Sequence, residues 1–179
     1  MLPPPRKELL RHELLSEADY ELVREARLRE AEAAARERSL PLGPTIALRF
    51  ASFASAWVAA HERLRARGRS EAELVAALRE ANALIPDGPE LVAAVLPAEA
   101  GDAPDPAAVA AGLALEFAGE TVRAGAAVPG IARFALTPGQ VERFRQANIQ
   151  VVVASEAPGC ALRVVMPEAT RRALSRDLP

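Results

Sequence analysis

The sequence has few of the residues that build disulfides, metal cages and catalytic dyads. Its 179 residues include one cysteine and two histidines, so neither an intrachain disulfide nor a thiolate metal cage can form. Aromatic residues make up only 4% of the chain. The motifs Gly-x-Ser-x-Gly, Gly-x-Gly-x-x-Gly and His-Glu-x-x-His are absent, as is a Walker phosphate loop. The sequence therefore carries no local signature of a hydrolase nucleophile, a nucleotide site or a zinc protease.

The sequence also lacks a strong excess of one charge and a long apolar run. It has 22 basic and 24 acidic residues, a net charge of -2, whereas nucleic-acid binders usually carry a basic excess. The longest apolar stretch, residues 107–119, contains Glu116 and is too short to span a bilayer. Residues 1–6 are rich in proline and lack the apolar centre of a signal peptide. We therefore expect a cytoplasmic protein with neither a nucleic-acid nor a membrane partner.

The sequence contains clear signals for the first residues of several helices. The segments beginning at Ser16 and Ser70 have the capping-box pattern, and the segment at Thr137 adds a proline at the first helical position. Together with apolar periodicity, these signals predict six helices. Four have both bounds: 16–38, 54–67 with its end at Gly68, 107–113, and Pro167 through Leu178. The other two begin at Ser70 and at Thr137. Alternating or continuous apolar runs predict strands over 45–53, 91–96, 115–123, 131–136, 149–154 and 161–166.

Helices and strands follow one another without strict alternation, which favours an α+β fold. We predict a single domain over residues 16–179, in which a mixed or antiparallel sheet of about five strands packs with N-terminal, middle and C-terminal helices. Residues 1–15 are predicted to form a proline-rich lead-in and a first turn. The first helix is expected to bury a narrow apolar stripe of Leu15, Leu22, Val23 and Ala26 and to expose its charged residues.

Three residues are candidates for chemistry. His61 and Glu62 are weak candidates for metal ligands, because adjacent side chains on a helix diverge by about 100°. Cys160 follows a Pro-Gly turn. If the thiolate is exposed there, it is a candidate nucleophile or redox sensor; the alternative is an incidental cysteine in the turn that is partly buried. His12 lies in a charged segment and is expected at the surface. No catalytic residue and no cofactor are predicted.

Three other residues are candidates for an interface. Trp57, the only tryptophan, is at helical spacing with Ala54, Ala60 and Leu64 and is predicted to be a core residue or an interface anchor. Arg24, in the charged first helix, is a candidate contact residue. Arg133 is either a further interface residue or an ordinary solvent-facing arginine on a strand.

Ordered segments along most of the chain resemble the bacterial domain-of-unknown-function family DUF3501. The matching segments, in the family's order, are Tyr20 with Arg24, 42–44, 82–86 with Leu91, Glu99, 133–138, 151–153, Thr170, Leu174 and 177–178. Genes of this family often neighbour those for rubrerythrin-like and iron-sulfur oxidoreductase proteins. The resemblance therefore implies an accessory role in redox or iron chemistry.

The chain departs from the family pattern at polar positions. The family carries a Gln- and Glu-bearing stretch at 57–62, of which only Glu62 is retained. Where the family has a His-Tyr pair, this chain has Gly130-Ile131. Where the family has His-Pro-x-Tyr, this chain has Ala-Pro-Gly-Cys at 157–160. The resemblance thus implies a divergent copy that keeps the scaffold and has lost most polar positions.

Two functional hypotheses follow. The first is a non-catalytic accessory or protein-interaction subunit that docks a protein partner, or a second copy, through the Trp57 helix or the long charged helix. The alternative is a metal-binding or redox enzyme in which Glu62, His61 and Cys160 converge.

Overall fold

Helices and strands alternate irregularly along the chain. The computed structural model describes residues 8–97 and 103–179. Within these residues a short 3-10 helix, Arg11–Glu13, precedes the α-helices, which are α1 Glu17–Glu37, α2 Phe53–Arg67, α3 Glu71–Leu84, α4 Pro106–Gly112, α5 Pro138–Arg145 and α6 Glu168–Asp177. No helix of the described residues is long and apolar enough to cross a membrane.

The strands form two antiparallel sheets. The first has the order β1-β2-β3-β7-β6, and the second has the order β5-β4-β8-β9. Their bounds are β1 Ser39–Pro41, β2 Ile46–Phe50, β3 Glu90–Pro97, β4 Leu113–Phe117, β5 Glu120–Arg123, β6 Gly125–Val128, β7 Ile131–Ala135, β8 Val152–Ala157 and β9 Cys160–Val165. The α+β class is confirmed, whereas the strands are more numerous than predicted and lie in two sheets instead of one.

Side-chain caps begin the helices at the predicted residues. The hydroxyl of Ser16 accepts a hydrogen bond from the backbone N–H of Asp19 at 3.1 Å. Thr137 accepts from the N–H of Gln140 at 3.2 Å, and the Gln140 side chain accepts in return from the N–H of Thr137. Helix α2 ends at Gly68, whose φ of 87° is a conformation that glycine adopts without steric cost.

One predicted strand is in fact a hairpin. Residues 115–123 divide into β4 and β5, because the chain reverses at Ala118 and Gly119, where φ is 51° and 77°. Strands β1 and β6 were not predicted, since each has only three or four residues and β6 consists of Gly, Ala and Val. Half of the predicted loop over 97–106, residues 98–102, lies outside the described residues.

The larger apolar core belongs to the two sheets. It is built mainly from large side chains, including four phenylalanines that are at most 3% exposed: Phe50, Phe117, Phe134 and Phe144. The rings of Phe117 and Phe144 meet edge to face with centroids 5.6 Å apart. This core extends across β-strands of both sheets and onto α4, α5 and α6, so it holds the two sheets together.

A second, smaller core lies among the helices. Its buried residues are mostly small: Leu9, Ala56, Ala60, Leu64, Ala77, Ala81 and Ile85. The backbone of Leu9 is anchored to α3, because its N–H donates to Asn82 Oδ1 at 2.7 Å and its carbonyl accepts from Asn82 Nδ2 at 3.2 Å. Residues 8–15 therefore pack on the helices, whereas residues 1–7 of the predicted lead-in lie outside the described residues.

Helix α1 lies on the outside of this helical core. Tyr20 is its one buried residue, and the Leu22 side chain is 85% exposed. The predicted apolar stripe is wrong at Leu22 and Ala26, which are exposed, whereas Leu15 and Val23 are half-buried. The side of α1 that faces α2 carries Tyr20 and Arg24 instead, one helical turn apart.

Two arginines connect elements that are distant in the sequence. Arg38, at the end of α1, donates two hydrogen bonds to the carboxylate of Asp177 at the end of α6, at 2.9 and 3.0 Å. Arg133 on β7 pairs with Glu90 and donates to the carbonyl of Ala83 at 2.8 Å. Arg133 thus caps the last turn of α3 and fixes this helix on the first sheet.

Candidate functional site

Three rings stack where α1 crosses α2. Trp57 and His61 are four residues apart on α2, and their ring centroids lie 3.8 Å apart. Tyr20 on α1 stacks on His61 with a centroid distance of 4.6 Å and meets Trp57 edge to face at 5.7 Å. Each ring is therefore held by the other two, which fixes the position of the indole.

His61 links α2 to the segment that precedes α1. Its Nε2 accepts a hydrogen bond from the backbone N–H of Leu15 at 3.0 Å, and its Nδ1 lies 2.8 Å from the carbonyl oxygen of Trp57. Because a backbone N–H can only donate, the ring proton must be on Nδ1, which donates to the carbonyl. Burial lowers the pKa of His61 below its usual value, so the neutral form is favoured and both ring nitrogens are engaged within the chain.

Glu62 receives hydrogen bonds from α1. Arg24 donates to both carboxylate oxygens, from Nε at 2.8 Å and from Nη2 at 2.9 Å. Tyr20 donates its hydroxyl to Glu62 Oε1 at 2.9 Å. The hydrogen bonds from Arg24 lower the pKa of Glu62, and burial raises the pKa of the Tyr20 hydroxyl. The carboxylate is therefore ionised at neutral pH and is used to attach α1 to α2.

A groove of about 410 Å³ opens next to this cluster. We call it the α1–α2 groove; it lies between α1, the first half of α2 and the segment before α1. Its lining residues are mostly apolar and comprise Glu13, Leu15, Val23, Arg27, Glu30, Ala31, Phe53, Ala54, Trp57 and Val58. The volume is in the range of protein cavities that accept ligands or partner side chains.

Trp57 forms part of the groove surface. Its side chain is only half-buried, and Nε1 donates to the carbonyl of Glu13 at 3.3 Å. The guanidinium carbon of Arg27 lies 5.9 Å from the indole centroid, and Arg27 Nη1 donates to Glu30 Oε2 at 2.9 Å. An aromatic surface with a cation above it and an ion pair at its edge is thus presented to solvent.

The other sequence candidates lie elsewhere. Cys160 is buried in the core of the sheets on β9, and Arg133 caps α3. His12 is exposed as expected. Among residues 8–97 and 103–179, no group of three or more His, Cys, Asp or Glu side chains could hold a metal ion. A metal site at His61 and Glu62 stays a prediction, and it would require their present hydrogen bonds to be exchanged for metal bonds.

The structure thus brings together Tyr20, Arg24, Trp57, His61 and Glu62, but it does not bring Cys160 or Arg133 to them. Sequence reasoning missed the groove itself, because its lining comes from three separate segments. The helical spacing of four residues in Tyr20 and Arg24, and again in Trp57 and His61, is the signal that each pair lies on one face of its helix.

Comparisons with known proteins agree with this fold. A crystal structure from Burkholderia pseudomallei K96243, described as a novel protein of unknown function, matches with a TM-score of 0.81 and 19% identity. The match covers 96% of this chain and 100% of that chain, and at this identity it shows the fold alone. No curated protein matches the chain. Residues 8–178 match the family described as "Protein of unknown function (DUF3501)", and the chain therefore belongs to the DUF3501 family.

Proposed function

We propose that this chain is a non-catalytic accessory subunit that binds a protein partner through the α1–α2 groove. One observation carries the proposal: the only tryptophan of the chain is held rigidly at the surface of an apolar groove of about 410 Å³. The family resemblance points to a partner in redox or iron chemistry, such as a rubrerythrin-like or an iron-sulfur oxidoreductase protein.

The fixed indole supports a role in recognition. Tryptophan is among the residues that contribute most to binding at protein interfaces. The contacts of Trp57 with Tyr20, His61 and Glu13 hold the ring in place before any partner arrives. Little side-chain entropy is therefore lost when a partner packs against it, which favours tight binding.

The engagement of the polar groups supports binding rather than catalysis. His61 uses both ring nitrogens, and Glu62 uses both oxygens, for hydrogen bonds within the chain. Arg27 and Glu30 pair with each other at the edge of the groove. A general base must be able to reach the proton of a substrate, and these groups instead serve to position α1, α2 and the segment before α1.

The test measures complex formation with variants that fill the groove. The full chain is mixed with a rubrerythrin-like protein and, separately, with an iron-sulfur oxidoreductase protein, and the mass is measured by light scattering after size exclusion. We expect Ala54→Arg, which places a long side chain in the groove, to weaken the complex by about tenfold or more. Ala66→Arg is the matched control, because Ala66 is exposed on the same helix but outside the groove.

Two results would contradict the proposal. The first is a complex that Ala54→Arg and Ala66→Arg affect equally, since the contact would then lie elsewhere. The second is a strict monomer that binds neither protein. Metal analysis and a visible spectrum of protein purified without chelator test the alternative, because a bound metal in stoichiometric amount would favour a metal or redox site over an accessory role.

A further inference from the structure

We infer that the element that enters the α1–α2 groove is a basic amphipathic helix of the partner protein. This inference rests on the proposed function and adds the chemistry of the partner. The distribution of charge on α1 and the shape of the groove support it.

Helix α1 is the most acidic of the helices in the described residues. It has seven carboxylates and four arginines, a net charge of −3. The remaining residues have 17 carboxylates and 18 basic side chains, a net charge of +1. Helix α3 is also acidic, with three glutamates and one arginine, but it does not border the groove.

Three of the seven carboxylates of α1, but only one of its four arginines, lie on the side of the helix that borders the groove. Val23 and Glu30 line the groove, and Asp19 and Glu37 precede and follow them at spacings of four and seven residues. Residues at these spacings share one side of an α-helix. Arg27 is the one basic residue that lines the groove, and it is already paired with Glu30. The side of α1 that a partner meets is therefore negative.

The dimensions of the groove suit a helix. The α1 residues from Val23 to Ala31 run along it for about 12 Å, which corresponds to about two helical turns. A partner helix with apolar side chains at positions i, i+4 and i+7 would place them against Trp57 and its apolar neighbours. Its lysine or arginine residues would then face Asp19, Glu30 and Glu37, and complementary charge of this kind selects the partner and speeds association.

The experiment compares two designed peptides. Both are 18-residue amphipathic helices without tryptophan and share one apolar face; the polar face is lysine and arginine in one and glutamate in the other. Each is titrated into the full chain, and emission of the single Trp57 reports occupation of the groove. We expect the basic peptide to bind at least tenfold more tightly at low salt, and its affinity to fall as salt is raised.

Charge-reversal variants locate the contact. Glu30→Lys with Glu37→Lys is expected to weaken the basic peptide by about tenfold. Glu156→Lys with Glu142→Lys is the matched control and should leave binding unchanged. In each pair one carboxylate forms an ion pair with an arginine, Arg27 or Arg123, and all four side chains are exposed. Glu30→Gln with Glu37→Gln, which avoids new charge repulsion, should give an intermediate loss, and circular dichroism confirms that each variant is folded.

The outcomes separate this inference from the proposed function. Equal or tighter binding of the acidic peptide overturns the inference, and so does binding of the basic peptide that Ala54→Arg leaves unchanged. If the partner complex depends on Ala54 but the basic peptide does not bind, only the inference fails. If the partner complex does not depend on Ala54 at all, the proposed function fails with it.

Discussion

The core of the sheets and the core of the helices are built from different side chains. The core of the sheets contains Phe50, Phe117, Phe134 and Phe144 together with many leucines and valines. The core of the helices contains four alanines among its seven buried residues. Alanine lets helices approach closely but removes little apolar surface from water, so each contact in the helical core contributes less.

Polar contacts make up for the weaker apolar packing of the helices. Tyr20 and Arg24 bind Glu62, and His61 binds Leu15, so directional bonds fix α1 and the segment before it. The groove opens on this side of the molecule, where residues such as Trp57 remain half-buried. The sheets therefore rest mainly on apolar burial, whereas the helices rest more on polar contacts and present a shaped and charged surface.

The largest expected effect tests the difference between the two cores. Phe134→Ala in the core of the sheets should lower the free energy of unfolding by about 3–5 kcal/mol, because a fully buried ring is removed. Leu64→Ala in the helical core should cost less, about 2 kcal/mol, because fewer large neighbours lose contacts. Urea denaturation followed by circular dichroism measures both. An equal or larger loss for Leu64→Ala would contradict the comparison.

An intermediate effect tests the connection between the two regions. Arg133→Met removes the bonds to Ala83 and Glu90 and should cost about 1–3 kcal/mol. We expect faster hydrogen exchange in the last turn of α3, with β4 and β8 still protected. Arg123→Met is the control, because Arg123 is a strand arginine that is 70% exposed, and it should change stability by less than about 0.5 kcal/mol. Uniform loss of protection throughout the chain would show that Arg133 does not act locally.

The smallest expected effect is a pH dependence that arises in the helices. Burial lowers the pKa of His61 in the folded protein, so below the usual value of about 6.5 the unfolded chain binds a proton first. The contribution of His61 to the free energy of unfolding is therefore complete above this pH. It is lost as the pH falls, by at most about 1.4 kcal/mol per pH unit. Glu62 also makes the folded protein less stable as the pH falls below about 4.5, because its pKa in the folded protein is lowered as well.

Urea denaturation between pH 5.0 and 7.5 measures this dependence. We expect His61→Gln to reduce the slope between pH 5.0 and 6.5, whereas His12→Gln, at an exposed position, should leave it unchanged. A slope that survives His61→Gln would place the titrating group elsewhere.

Local signals in the sequence predicted the helices and most of the strands, but they did not predict how the strands pair into sheets. Caps such as Ser16 and Thr137, and the stop at Gly68, act within a few residues and can be recognised directly. Strand pairing joins residues far apart in the sequence, as where Ala93 lies opposite Ala132. The local sequence pattern therefore does not indicate whether the strands form one sheet or two.

The candidate site was predicted residue by residue but not as a unit. Trp57, His61, Glu62 and Arg24 were each identified as candidates, and the structure brings them together. Exposure of the first helix was misjudged at Leu22, because apolar character alone does not indicate which side of a helix meets its neighbour. That side is set by Tyr20 and by the pairing of Arg24 with Glu62.

The position of α2 and α3 between β2 and β3 bears on how this fold can change. These strands are neighbours in the first sheet, and Phe50 at the end of β2 lies opposite Ala93 in β3. The chain thus leaves the sheet and re-enters it at nearly the same place, with both helices inserted between. The pairing of β2 with β3 does not depend on the length of the segment between them, so the helices of this insertion can lengthen or shorten while the register of the two strands stays the same.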